Sequence, residues 1–201
     1  MIGDLSARYE SNGDPGTISS GYGDAGGKSY GCYQFAINAG VPQAFVAWLI
    51  NLGHAFGAIL ASCVPGSGEF DVAWRQLAGT YPADFAQAQH DYVQAYYFEP
   101  AIINLRAIGF EAMGRSEALH QVIWSRAVQY SARWIPDLFT EAAALAGQEL
   151  IRMSDRDLIW WVYEVNLTDP EWTAGSPALR PGLFARFQQE RQDALAMLGV
   201  I

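Results

Sequence analysis

The chain has 201 residues, of which 51% are hydrophobic and 13% aromatic, and it carries a formal net charge of -9. This composition supports one sizeable core and excludes a disordered or solvating segment. The excess of 21 acidic over 12 basic residues excludes a protein that tracks the phosphates of a nucleic acid. We therefore predict a monomer with one compact domain over residues 1–201 and no nucleic-acid partner.

The N-terminal segment predicts a short helix over Ile2–Tyr9. Its first four residues contain neither a positively charged region nor an apolar run, so no secretory signal peptide is expected. Gly13 and Pro15 follow closely and cannot continue a helix. Glu10 is therefore expected at the C-terminal end of this helix.

A glycine-rich region follows the first helix. It holds seven glycines between Gly13 and Gly31. Short β-favouring pieces, Thr17–Ser19 and Ser29–Tyr30, lie between the glycines. The pattern predicts a small glycine-rich β-hairpin near the N-terminus.

An almost uncharged stretch, Val41–Val64, comes next and is long enough to span a bilayer. Pro42, Asn51 and Gly53 interrupt it, and no Lys or Arg flanks it. We interpret it as the buried central helix of a helical domain, with no stable insertion into a membrane.

The remaining sequence has a helical pattern to its end. Prolines at first-turn positions mark where several helices begin, and Ser154 with Asp157 gives a start that resembles a capping box. The fold class predicted is mainly α, with the small hairpin as its β part. The predicted helices lie near Phe70–Leu77, Pro82–Phe98, Pro100–Ile108, Ser116–Ser131, Pro136–Ala146, Asp155–Val165 and Pro181–Leu198.

The histidines and cysteines give no sign of a metal site. The three histidines have no metal-ligand spacing, so neither a metal nor another cofactor is predicted. Cys32 and Cys63 either form a disulfide or are two buried thiols, and the frequent burial of free cysteine favours the thiols.

Two carboxylates in the N-terminal region suggest acid catalysis. Cleavage of a glycosidic bond needs a carboxylic acid that protonates the leaving oxygen, usually with a second carboxylate that activates water or attacks the sugar. Glu10, beside Leu5 and Tyr9, fits the acid because partial desolvation raises a carboxyl pKa. Asp24 lies in a flexible glycine loop and is the candidate partner. Asp14 is weaker, because in a turn Asp commonly bonds its own backbone.

The segments around these acids resemble the catalytic region of goose-type lysozymes and related lytic transglycosylases. The matching runs are 10–13, 20–27 and 29–35, with Glu-Ser at a helix end, Gly-Tyr-Gly-Asp in a hairpin and Tyr-Gly-x-x-Gln after it. The resemblance implies a lysozyme-like α+β fold, with Glu10 as the catalytic acid and Asp24 as the residue that positions water. It also implies a sugar cleft lined by Ser29, Tyr30, Tyr33 and Gln34.

Three later segments, 70–74, 85–89 and 124–130, are similar to phage and prophage cell-wall hydrolases. Together these resemblances imply a muramidase that cleaves the β-1,4 bond between N-acetylmuramic acid and N-acetylglucosamine in peptidoglycan strands. Hydrolysis and lytic transglycosylation both stay open. Such a protein would be a phage endolysin, a tail lysin or a type VI bacteriolytic effector, acting at the cell wall or periplasm after holin release or delivery by a secretion system.

Two other functions remain open from the sequence. A chitosanase-like glycoside hydrolase belongs to the same superfamily, and the negative charge of the chain suits a cationic polymer. A catalytically silent glycan-binding domain or phage structural domain is the non-enzymatic alternative. Assays on chitosan and on peptidoglycan would separate the three.

Overall fold

The computed structural model describes residues 2–22, 26–174 and 179–199, and most of them are helical. The mainly α fold class is confirmed, and most of the helices predicted after residue 68 are found within a few residues of their expected bounds. The helix predicted over Pro82–Phe98 ends at Val93, and a π-helical segment, Gln94–Phe98, follows it. The helices are α1 (Asp4–Ser11), α2 (Val41–Asn51), α3 (Ala55–Ala61), α4 (Gly68–Thr80), α5 (Pro82–Val93), α6 (Glu99–Ala107), α7 (Glu117–Tyr130), α8 (Ile135–Ala146), α9 (Asp155–Thr168) and α10 (Arg180–Met197).

Local side-chain chemistry explains where several helices begin. The hydroxyls of Ser67, Ser116 and Ser154 accept hydrogen bonds from backbone N–H groups in the first turns of α4, α7 and α9. Each bond satisfies a donor that has no partner inside the helix. Prolines occupy the first turns of α2, α6, α8 and α10, where a missing N–H does no harm.

The β part is a three-stranded antiparallel sheet instead of the predicted hairpin. Its strands are β1 (Ile18–Ser19), β2 (Ser29–Tyr30) and β3 (Phe35–Ala36), in the order β1-β2-β3. Tyr30 pairs with Ile18 on one side and with Phe35 on the other. β1 and β2 lie at the β-favouring pieces predicted from the sequence, and β3 adds a third strand through its pairing with β2.

The apolar stretch Val41–Val64 forms two helices, so the prediction of one buried central helix is wrong. Gly53 adopts a left-handed φ of 68°, and the backbone N–H of Phe56 donates to Nδ1 of His54, which begins α3. Within the described ranges, no helix combines the length and the apolar character that a membrane crossing requires.

The chain divides into two compact units. The sheet unit is Glu10–Val93, and the helical unit is Met1–Tyr9 with Gln94–Ile201. The one-domain expectation for residues 1–201 stays a prediction. The sheet unit has an aromatic core whose rings contact one another at centroid distances from 4.8 to 6.4 Å; it includes Tyr30, Phe35, Phe45, Phe70, Trp74 and Phe85.

The helical unit contains a buried polar network between α7, α9 and α10. Arg126 and Glu190 form an ion pair in which both side chains are fully buried. The hydroxyl of Tyr163 donates to Oε2 of Glu190 at 3.1 Å, and Nε of Arg186 donates to Oε1 at 2.7 Å. Nη1 of Arg126 donates to Oδ1 of Asn166 at 3.1 Å. These bonds join helices that are far apart in sequence.

Both cysteines are free thiols, so the expectation of thiols instead of a disulfide is confirmed. Cys32 is buried, whereas Cys63 is partly exposed. Burial, followed by the negative charge of Asp14, raises the pKa of the Cys32 thiol to about 12. Cys32 is therefore protonated at neutral pH and is not a ready nucleophile.

Candidate functional site

The candidate site begins at the end of α1, where Glu10 occupies the last turn and is partly exposed. The next residue, Ser11, donates from its hydroxyl to the carbonyl oxygen of Cys32 at 3.0 Å. The thiol of Cys32 in turn contacts the carbonyl oxygen of Gly13 at 3.4 Å. These two bonds connect the segment that follows Glu10 to the turn between β2 and β3.

The side chain of Gln89 on α5 also joins the segment that follows Glu10 to the turn between β2 and β3. Its side chain is fully buried. Oε1 accepts from the backbone N–H of Cys32 at 2.8 Å, and Nε2 donates to the carbonyl oxygen of Pro15 at 3.1 Å. Nε1 of Trp74 donates to that same carbonyl at 2.8 Å. Sequence reasoning missed Gln89, although it lies in one of the segments that carried the resemblance.

Ser29 and Gln34, two of the predicted substrate-binding residues, contact each other. The hydroxyl of Ser29 donates to Oε1 of Gln34 at 2.9 Å, and Nε2 of Gln34 donates to the carbonyl oxygen of Gly31 at 2.9 Å. Gln34 has a φ of 48°, which places it in a tight turn and not on a strand. Its side chain is partly exposed, whereas Ser29 is buried.

Tyr30 and Tyr33, the other two predicted substrate-binding residues, are buried in the sheet unit, with exposures of 0% and 6%. The hydroxyl of Tyr30 donates to Oδ1 of Asp71 at 2.6 Å. Its ring packs at 5.2 Å from the rings of Phe70 and Trp74. Burial raises the pKa of Tyr30, and the Asp71 bond adds to the effect. The structure therefore gives Tyr30 a packing role, and substrate contact by either tyrosine stays a prediction.

Asp24 and Asp14 are the two other carboxylates that the sequence analysis named. Asp24 lies outside the described residues, so its partnership with Glu10 stays a prediction. Asp14 bonds its own turn, as expected: Oδ1 accepts from the N–H of Gly16 at 2.8 Å, and Oδ2 accepts from the hydroxyl of Thr17 at 3.3 Å. Both carboxylate oxygens of Asp14 therefore stabilise this turn.

An ion pair that the sequence did not predict holds the sheet against α4. Nζ of Lys28 donates to Oδ2 of Asp71 at 2.8 Å and to the carbonyl oxygen of Gly66 at 3.1 Å. Burial alone raises the pKa of Asp71, but the hydrogen bonds from Lys28 and Tyr30 outweigh it and hold the pKa below its ordinary value. Asp71 is therefore ionised at neutral pH and is held in place by these bonds.

We expect Asp71 to make the unfolding free energy depend on pH. Its pKa is lower in the folded chain than in the unfolded chain, so its contribution is fully present above its ordinary pKa and is lost as the pH falls through the lowered value. Urea unfolding of the wild type and of Asp71→Asn checks this. The difference in unfolding free energy should shrink as the pH is lowered; a constant difference contradicts the assignment.

Over residues 2–22, 26–174 and 179–199, no group of three or more His, Cys, Asp or Glu side chains is arranged to hold a metal ion. Asp24 is not among these residues. Among the described residues, the site offers a partly exposed carboxylic acid at a helix end, and the segment that follows it is bonded to the turn that carries the ordered Gln34 amide.

Comparison with known proteins identifies the family. Residues 2–191 match the family model described as "Type VI secretion system spike protein VgrG3-like, C-terminal". The chain is 36% identical over 171 residues to the type VI secretion system spike protein VgrG3 of Vibrio cholerae serotype O1. The match covers 85% of this chain and 16% of that relative, so the chain spans about a sixth of the length of the relative.

These matches overturn the recognition of a lysozyme-like superfamily. The functions drawn from it are also wrong: the peptidoglycan-degrading muramidase, the phage endolysin, and the peptidoglycan strands named as partner. The family match covers almost the whole chain, whereas the motifs that carried the resemblance cover about a sixth of it. Glycine-rich turns and acids at helix ends recur for local conformational reasons. The chain belongs to the family of type VI secretion system spike protein VgrG3-like C-terminal domains.

Proposed function

We propose that this chain is a C-terminal domain carried by a type VI secretion spike protein and delivered with the spike into a target cell. The observation that carries the proposal is the family match over residues 2–191. The matched region makes up 16% of the Vibrio cholerae relative, so the rest of that protein is long enough to act as the carrier. Of the two delivery routes predicted from the sequence, this proposal keeps the secretion system and drops holin release.

We further propose that the delivered domain is an enzyme in which Glu10 donates a proton to a glycosidic oxygen. Three features support it. Glu10 is partly exposed at the end of α1, and Ser11 fixes the adjoining backbone to Cys32. Gln34, two residues beyond Cys32, presents an ordered amide through its bonds to Ser29 and Gly31. A partly exposed acid and an ordered hydrogen-bonding group, on two segments that are bonded to each other, suit general acid catalysis on a hydroxyl-rich substrate.

The experiment replaces the matched region of the Vibrio cholerae spike protein with this chain and measures survival of target bacteria in a competition assay. We expect the chimera to reduce target survival and a spike that lacks the region to have no such effect. The chimera with Glu10→Gln should lose at least about a hundredfold of the delivered activity, because a positioned general acid contributes about that much or more.

Glu149→Gln is the matched control, because Glu149 is exposed and pairs only with the surface residue Arg152 in the contacts described. It should act like the unmodified chimera. Equal survival with and without the chain overturns delivery of a functional domain. Full activity of Glu10→Gln leaves delivery intact and overturns the enzyme proposal alone.

A further inference from the structure

A cleft of about 300 Å³ lies within the sheet unit, between α5 and the corner where α2 meets α3. One wall is apolar and includes Trp48, Leu49 and Leu52. The opposite wall is one face of α5 with Asp84, Gln87 and Asp91, which share that face because they are spaced by three and four residues. The volume is at the lower end of the range for small-molecule sites.

The indole of Trp48 is held in place as part of the apolar wall. It stacks on Phe45 with ring centroids 6.1 Å apart and an interplanar angle of 26°. It also meets Tyr92 edge-on at 5.5 Å. Beside it, Leu52 is 62% exposed, so the wall offers an aromatic ring and an open aliphatic surface next to each other. An indole and an aliphatic surface both pack against the apolar stem of an ammonium ion, and the indole also attracts its charge.

The polar wall carries an oriented carboxylate. Oδ1 of Asp91 accepts from Nε2 of Gln87 at 2.7 Å, and Nδ1 of the neighbouring His90 lies 3.3 Å from the same oxygen. The Asp91 side chain keeps 51% of its surface exposed, so it can still accept a bond from a ligand. Asp84 lies seven residues away, about 10 Å along the helix axis.

The negative charge of the cleft indicates that its ligand is a cation. The helices α2, α3 and α5 contain no Lys or Arg, and the cleft therefore offers two carboxylates without a lysine or arginine from its own walls. We propose that this cleft binds an aliphatic ammonium ion. Its ammonium donates to Asp91, its stem lies on Trp48 and Leu52, and a second ammonium, where the ligand has one, reaches toward Asp84. The site does not depend on the function proposed for Glu10.

The test is an NMR titration of the 201-residue chain that follows the indole N–H signal of Trp48, assigned with Trp48→Phe. Hexamethylenediamine is the probe for free amines, and Nα-acetyl-lysine methylamide is the probe for a lysine side chain. Hexanol is the uncharged control. We expect saturable shifts with one or both ammonium compounds, weaker at high salt, and none with hexanol. The ammonium compound that binds more tightly shows whether the ligand is a free amine or a lysine side chain.

Asp91→Asn should weaken binding about tenfold, because it removes a charge-assisted hydrogen bond. Asp137→Asn, on the exposed start of α8, is the matched control and should leave binding unchanged. If Asp91→Asn unfolds, Asp84→Asn replaces it, with weaker binding of the diamine expected. Equal shifts with hexanol, or no shift with either ammonium compound, overturn the proposal.

Discussion

Arg126→Met is expected to lower the free energy of unfolding by about 3–5 kcal/mol, because it leaves a buried carboxylate without its closest cation. Both side chains of the Arg126 and Glu190 pair have no exposed surface. Burial raises the pKa of Glu190, but the charges of Arg126 and Arg186 outweigh it and hold the pKa below its ordinary value. Glu190 therefore stays ionised at neutral pH, and the variant has to bury that charge with only Arg186, Tyr163 and Ser125 left to bond it.

Urea unfolding at neutral pH measures this effect, and Arg8→Met supplies the matched control. Arg8 forms its ion pair with Asp193 at 3.3 Å in the same unit, but its side chain is 63% exposed. The same substitution there should change the free energy of unfolding by less than about 1 kcal/mol. A loss at Arg126 no larger than at Arg8 would contradict an ionised Glu190 in the buried network.

The helices were largely predictable because local chemistry sets their ends. Serine hydroxyls at Ser67, Ser116 and Ser154 cap N-termini through bonds within three residues. Such contacts can be recognised from spacing alone. The two-residue strand Phe35–Ala36 escaped prediction because its pairing with β2 decides it. The sequence showed an interruption at Gly53, but the stretch around it was still predicted as one helix.

The candidate site was predictable only in part. The sequence named Glu10, Ser29 and Gln34 as candidates, but the bond from Ser11 to Cys32, which joins the end of α1 to the β2–β3 turn, was not predicted. Gln89 lies 57 residues beyond Cys32, whose N–H it accepts, and no periodicity joins positions so far apart. The buried pair Arg126 and Glu190 is separated by 64 residues and is unpredictable for the same reason. The family match, which covers nearly the whole chain, overturned the muramidase and endolysin functions drawn from the short motifs, whereas the role of Glu10 as an acid stays a prediction.

Gly31→Ala is expected to lower the free energy of unfolding by about 2–4 kcal/mol, from backbone strain and the loss of buried hydrogen bonds. Gly31 has a φ of 76°, and a Cβ there would lie 2.1 Å from Oε1 of Gln89 and 3.0 Å from Trp74. A glutamine end moves cheaply at a surface, but Gln89 is fully buried. Moving it breaks its bonds to the N–H of Cys32 and to the carbonyl of Pro15, and leaves these polar groups without their partner.

Gly79→Ala is the control that separates this effect from a general response to the added methyl group. Gly79 lies inside α4, where a Cβ meets nothing within 4 Å, and alanine there should stabilise the chain by about 0.5–1 kcal/mol. Because Gln89 also positions the segment after Glu10, Gly31→Ala should reduce the activity of the delivered chimera at temperatures where the chain stays folded. Circular dichroism establishes that temperature range. Opposite signs for the two substitutions support Gln89 as the group that fixes the site, whereas a neutral Gly31→Ala means that the β2–β3 turn keeps its place without it.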